Sequence, residues 1–489
     1  MTAIGWADWT VIGGYAALTA VIAWIAARRQ KGADEYFTGG HAMNGFAVGL
    51  SIFAAAFSAA AFVMLPREGA YRNWGLLSVL LLIPFFITPL LWCVFVPLYT
   101  RLGIRSVYEY LSIRFHPRLR RLGAVLFFGY AFGWLGSMLY TLVLIFDAMF
   151  GLSHTQFVLT LAGIGAVAIL YACTGGLKGI IWLDVLQALT MGGCVIVILL
   201  LAIGRVDGGL ASVVETGHAH AKFALADLSA GIKGQTSVWW VLALALFVYL
   251  PGYTTSQITV QRYLSMSGPK ELHRALSLNA VVATAVYFLF MLVGTVMYVY
   301  YMQRTGSLPE LASQDQILPH FVVKDLRVPG IAGLMSVGLL AAALSTLEGG
   351  FNSIASVLTF DLLDRRTTST WLNRGLTLLI GVGVVGAALL APYIGKNFID
   401  QITAVASTFL GMLLGVYVLG MFSARANSGG AAIGLAAGAL GVSFCWLYPC
   451  IPAWWCGAFA FTPTLLIGRL ASGFFPPPTT EQRRGLFRN

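Results

Sequence analysis

Apolar runs of roughly twenty to thirty residues follow one another along this chain, separated by short polar stretches. They fall at 7–27, 44–65, 75–99, 122–150, 155–173, 179–204, 237–258, 275–302, 329–359, 371–392, 398–422, 428–448 and 451–470. Each is near the ~20 residues that cross a hydrocarbon core as an α-helix. The pattern predicts an all-α integral membrane protein of about thirteen transmembrane helices, built as a single polytopic unit over 1–489. Pro449 and Pro452 leave the division of the last two runs open. The gap at 205–236 has room for a short surface helix, and the Pro-rich, basic tail FFPPPTTEQRRGLFRN reads as a disordered cytoplasmic end.

Composition agrees: 58% of the 489 residues are hydrophobic and 10% charged, too few charges to cover a water-facing surface. The net charge of +11 does not indicate nucleic acid, because the basic residues form short clusters between apolar runs rather than a patch with interleaved aromatics. They report topology instead. With the N-terminus outside, the inner loops hold Arg28, Arg29 and Lys31, six arginines between 101 and 121, Lys178, Arg262, Lys270, Arg274, Arg365, Arg366, Arg374 and Arg425. With Arg469, Arg483, Arg484 and Arg488 of the tail, 21 of the 30 Lys and Arg lie inside, which predicts a cytoplasmic C-terminus in the cell membrane. The first run has no basic residue before it and three after it, unlike a cleavable signal.

The six cysteines include no CxxC pair, and a disulfide among Cys445, Cys450 and Cys456 requires their loop to face outward. No HExxH, GxSxG or GxxxxGK[ST] pattern supports an enzyme, and no repeated pore loop or charged ring supports a channel.

Four stretches could carry chemistry. The second run is rich in small residues from Ala54 to Ala61, broken by Phe57 and Ser58, which permits close approach of a helix, an ion or a solute. In the seventh, Pro251-Gly252 predicts a break with Thr254, Thr255, Ser256 and Gln257 beyond it; a simple proline kink is the plainer reading. In the ninth, Ala342 precedes Ser345 by three residues and Thr346 by four. One carbonyl and two hydroxyls therefore share a helical face, where a cation could sit or the hydroxyls could bond their own backbone. Glu348 in that run and Asp184 in the sixth are carboxylates at membrane depth, which is costly: Glu348 could bind a cation, carry a proton, contact solute, stay protonated or pair with a distant basic group, and Asp184 could guard an ion exit or cap a helix near Lys178.

These residues belong to longer patterns. ADEYFTGG, SVYEYLSIRF, TGGLKGIIWLDVLQ, VQRYLSMSGPKELHRALSLNA and LPHFVVKDLRVPGIAGLMSVGLLAAALSTLEGGFNSIASVLTFDLL stand in an order and spacing that resemble the sodium:solute symporter family, over about 30 to 425. Its bacterial members include sialic acid, galactose and proline symporters. The resemblance implies a LeuT-type fold. That means two inverted five-helix repeats, here 44–204 and 237–422, each opened by a broken helix, with 1–43 and 423–489 peripheral. It implies sodium held by the carbonyls of Ala54, Phe57 and Ala342 and the hydroxyls of Ser345 and Thr346. A second sodium site in some members uses an aspartate matching Asp184 and serines where this chain has Glu348 and Gly349, so Glu348 and Asp184 could instead form a second ion or proton path. The solute site would lie at mid-membrane among Ser58, Trp134, Tyr253 and Gln257, with Ala56, Ala59, Ala61 and Leu80 where relatives carry polar groups. That composition suits a small, partly apolar solute, or an amine over Trp134 and near Glu348. The expected function is sodium-coupled symport of a small organic solute by a monomer; the alternatives are proton coupling on the same fold and a solute-binding sensor.

Overall fold

The computed structural model describes residues 5–29, 32–225, 231, 237–365, 369–393, 398–448 and 450–487. Lys31, Arg366, Pro449 and Arg488, used above for topology and span limits, lie outside them.

The helices, in order, are α1 (Trp6–Arg29), α2 (Gly45–Ala56), α3 (Ala59–Tyr71), α4 (Gly75–Leu102), α5 (Pro117–Phe150), α6 (His154–Ile203), α7 (Gly209–Ala219), α8 (Val238–Thr254), α9 (Gln257–Leu264), α10 (Pro269–Thr305), α11 (Ile331–Leu362), α12 (Thr370–Ala388), α13 (Phe398–Phe422), α14 (Ser428–Leu447) and α15 (Cys456–Ala471). Among the described residues, nine helices are long and apolar enough to cross a membrane, and two bent pairs, α2/α3 and α8/α9, bring the number to eleven. The thirteen expected runs differ from this in two places. α6 carries two of them in 50 residues, about 75 Å of helix and too long for one crossing of a ~30 Å core. It breaks at Gly176, at φ 54° and ψ −167°, where an added Cβ would lie 2.9 Å from the Tyr36 carbonyl oxygen. α15, the thirteenth, has only 16 residues.

The first broken span bends by 69° at Phe57-Ser58, where the Ser58 hydroxyl accepts from the Ala61 amide and starts α3. α3 continues beyond the apolar run to Tyr71, through Pro66, Arg67 and Glu68; Arg67 pairs with Glu68 and, at 2.9 Å, with Asp315. The second bends by 43° between Thr254 and Gln257, about one turn past Pro251-Gly252, near which the sequence predicted a break. A widened turn over Ala245–Tyr249 absorbs the missing proline donor, so the helix survives Pro251 and ends three residues later, at Thr254. α10 packs along both α2 and α3. At its crossing with α3, glycine faces glycine: a Cβ on Gly69 would strike the Met291 carbonyl, and one on Gly294 that of Pro66.

Outside the core, Cys445 and Cys456 join α14 to α15 as a disulfide, with Cys450 free. The gap after α6 does hold a helix, α7. The tail is ordered, contrary to the disorder expected of it. Tyr110 donates to the Gly485 carbonyl (3.2 Å), Gln482 donates to that of Phe115 (2.7 Å), and the Phe487 amide donates to Met421 (3.0 Å). Backbone groups of the tail and the Gln482 side chain bond the 100–121 loop and the end of α13.

After α7, the Lys222 ammonium donates to the carbonyls of Ala70 (2.6 Å) and Arg72 (3.1 Å) at the end of α3 and lies 3.7 Å from the Tyr298 ring. Burial pushes it down from the usual 10.5 to about 8. Between pH 8 and 10.5 the unfolded chain keeps a proton that the folded chain has lost, so this group's contribution to stability rises with pH through that window; below pH 8 its cost is constant. Unfolding midpoints of wild type and Lys222→Met at pH 7.5 and 9.5 should show the wild type gaining on the variant at the higher pH; a constant difference contradicts the assignment.

Candidate functional site

α11 passes the break in the first span. Ser345 Oγ donates to the carbonyls of Ala54 (2.9 Å) and Ala342 (3.0 Å), and Thr346 Oγ1 to those of Ala55 (3.0 Å) and Ala342 (3.3 Å). All five residues are buried. Three carbonyl and two hydroxyl oxygens thus converge where α2 unwinds, a neutral oxygen set suited to a small hard cation. Ala54, Ala342, Ser345 and Thr346 meet as the sequence suggested. Ala55, not named from the sequence, joins them through its carbonyl. Phe57 is buried at the same break, its ring stacking on Tyr287 and Phe290 at 5.5 and 5.2 Å.

Beside this cluster lies a cavity of about 130 Å³. Ser58, Trp134 and Tyr253 line it, as expected, and so do Ala56, Ala61 and Leu80; Gln257 and Ala59 do not. The Gln257 side-chain oxygen instead accepts from the Val107 amide at 2.9 Å. Ala55 and Thr346 border both the oxygen cluster and the cavity, so an ion and a solute there would share a wall. Past Met64 the cavity meets a second, of about 360 Å³, near Arg67, Asp147 and Asp315. Toward α9 the way is closed: Tyr99, Tyr108 and Tyr263, all buried, donate to the carbonyls of Thr254 (2.7 Å), Thr255 (3.0 Å) and Tyr253 (3.1 Å).

A charged cluster lies deeper. Asp184 accepts from Arg262 Nη2 (2.9 Å) and from Ser51, and Arg262 Nε donates to Ser51 (2.7 Å). Gln187 donates to Glu348 at 2.6 Å. Asp184, Glu348 and Arg262 are fully buried, and one oxygen each of Asp184 and Glu348 has no partner among the described residues. Arg262, counted above among inner-loop charges, is therefore a buried partner. Arg114, also fully buried, donates to Gly420 and Ser423, both at 2.8 Å. Glu348 does not line the cavity, so an amine resting on Trp134 would not meet it there.

The model of the sodium:solute symporter family matches residues 36–438. The chain belongs to this family. It is 30% identical over 418 residues to a sodium/sialic acid symporter of Aliivibrio fischeri, covering 84% of this chain and 82% of the relative. It is 29% identical over 439 residues to one of Proteus mirabilis, covering 88% of each. The structure of a sodium-coupled sialic acid symporter in a substrate-bound, outward-open state superposes with a TM-score of 0.87 at 27% identity, covering 97% of this chain and 99% of that one. The transporter MhsT in complex with L-phenylalanine, at a TM-score of 0.55 and 15% identity, shares the fold alone. The protein is a multi-pass, LeuT-type, sodium-coupled solute symporter.

Proposed function

We propose that this symporter loads sodium at the oxygens of Ala54, Phe57, Ala342, Ser345 and Thr346, with the Ala55 carbonyl beside them, and its solute in the cavity lined by Ser58, Trp134 and Tyr253. The observation that carries this is the shared wall. Thr346 and Ala55 border both sites, so filling one orders the other, and the two ligands favour one state. The closed path toward α9 and the second cavity past Met64 fit a state open toward the outside, with the N-terminus outside and the C-terminus cytoplasmic. The repeats 44–204 and 237–422, opened by the two bent spans, would rock to expose the sites inward.

Sodium entering down ~100 mV releases about 2.3 kcal/mol, and a tenfold gradient about 1.4 kcal/mol. Together, roughly 3.7 kcal/mol sustains about a 500-fold gradient of a neutral solute. Asp184 and Glu348 form the second ion or proton path in this reading, on the strength of their full burial and unpartnered oxygens. The test is thermal unfolding of the purified protein in sodium chloride against potassium chloride at two pH values. A sodium-specific rise is expected; a rise that follows pH alone, and is lost in Glu348→Gln, would make the carrier proton-coupled.

A further inference from the structure

The segment between α4 and α5 bonds the bent span on one face and the C-terminal tail on the other. Toward the span, Tyr99 and Tyr108 donate to the carbonyls of Thr254 and Thr255, and the Val107 amide donates to the Gln257 side chain at 2.9 Å. Toward the tail, Tyr110 donates to the Gly485 carbonyl (3.2 Å), and Arg101 donates to the carbonyls of Arg484 (3.2 Å) and Leu486. The two faces are joined inside the segment's packing. The Tyr110 ring stacks on Tyr417 at 4.9 Å, and the Tyr417 hydroxyl donates to the Val107 carbonyl at 2.6 Å. Tyr108, Tyr110 and Tyr417 are buried, so water does not compete for these bonds.

The tail ties this segment to α13. Gln482 donates to the Phe115 carbonyl, the Phe487 amide donates to that of Met421, and the Phe487 ring lies 5.8 Å from Phe422. Opening the route past α9 requires the span to part from the segment, or the segment to leave α13 with the span. The tail opposes the second movement directly and steadies the Val107 bond that opposes the first. Yet the tail is held lightly. Thr479, Thr480, Glu481, Arg483 and Arg484 are exposed, and a piece joined by few bonds opens locally at far less than the global unfolding free energy. Its seat is also close-fitting. A Cβ on Gly485 would lie 2.8 Å from Arg114 Cδ, in a side chain pinned by its bonds to Gly420 and Ser423, so one methyl group unseats the tail.

We propose that residues 479–487 are a latch in the transport cycle. Seated, they position the segment between α4 and α5 against the break between α8 and α9 and hold the route past α9 closed; released, they let it open. The latch rests on the reading above, in which the sodium-loaded state is the one closed toward α9.

Hydrogen exchange of the purified protein, read by mass spectrometry over residues 254–264 in sodium and in potassium chloride, tests it. In potassium, Gly485→Ala and Tyr110→Phe, which keeps the ring on Tyr417, should each speed exchange there about fivefold, the factor for one lost hydrogen bond. A chain ending at Pro477 keeps the Asn427 bonds to Ser472, Phe475 and Pro476 and should speed it roughly tenfold or more. Exchange over 280–300 in α10 should stay as in wild type, which separates a latch from a general loss of stability. Sodium should slow exchange over 254–264 again in every variant, because it draws the protein back to the closed state. Exchange over 254–264 that is unchanged in the truncated chain, that rises equally over 280–300, or that sodium slows in wild type but not in the variants overturns the latch. Sodium that alters exchange in no chain, wild type included, overturns the sodium reading and leaves the latch standing.

Discussion

Thr346→Ala is expected to weaken the apparent sodium affinity about ten- to a hundredfold, and Ser345→Ala comparably. Each removes one of two side-chain oxygens from a buried set completed by backbone carbonyls, which no substitution replaces. A dipole bonded to a charged group is worth about 1.5–3 kcal/mol, which converts to that factor. Thr346→Ser keeps the hydroxyl and should keep the affinity. Titrating sodium against the unfolding midpoint, at constant ionic strength with potassium, reads all three variants. Unchanged affinity in Thr346→Ala would move the ion elsewhere. Because Thr346 also borders the solute cavity, the same variant should lose solute binding in sodium more than in potassium.

The second large effect lies in the buried charges. Arg262 is the cation bonded to Asp184, and both side chains are wholly buried. Truncation to Arg262→Gln leaves the carboxylates of Asp184 and Glu348 in a sealed site without it, at a cost of about 3–5 kcal/mol. The expected result is a clear drop in unfolding midpoint, or loss of the monodisperse protein altogether. Asp184→Asn in the same chain should recover much of the loss, because it removes the charge that Arg262 compensates. If the two single losses simply add in the double variant, the pair is not coupled. Gly349→Ala probes the contact from the other side, since a Cβ there would lie 2.5 Å from Arg262 Nη2.

The features legible in the sequence were those that depend on local spacing. The face shared by Ala342, Ser345 and Thr346 follows from the rise of one helix, and the depth of Glu348 and Asp184 from counting residues into an apolar run. What could not be read depends on how separate helices meet. Arg262 lies close enough to a polar stretch to pass for a loop charge, and only the packing of α9 against α2 and α6 buries it. Ala55 has no side-chain chemistry; its carbonyl joins the cluster because the chain unwinds just beyond it and Thr346 Oγ1 donates to it at 3.0 Å. Trp240 reads as one more apolar residue, and its place on the cavity wall appears only when the cavity is assembled. Near Pro251 the local rule found the break to within about one turn, the helix running on to Thr254 because a widened turn upstream absorbed the missing hydrogen bond. The family patterns located both bent spans, yet not which residues of each face the cavity, which is why Gln257 was chosen and Trp240 was not.

Equilibrium binding of radioactive sodium to the purified protein tests the central claim most directly. The account predicts saturable binding that excess sodium displaces and potassium does not, and that Thr346→Ala weakens at least tenfold while Thr346→Ser preserves it. Binding that is absent, or that persists unchanged in Thr346→Ala, would contradict a sodium site between α2 and α11.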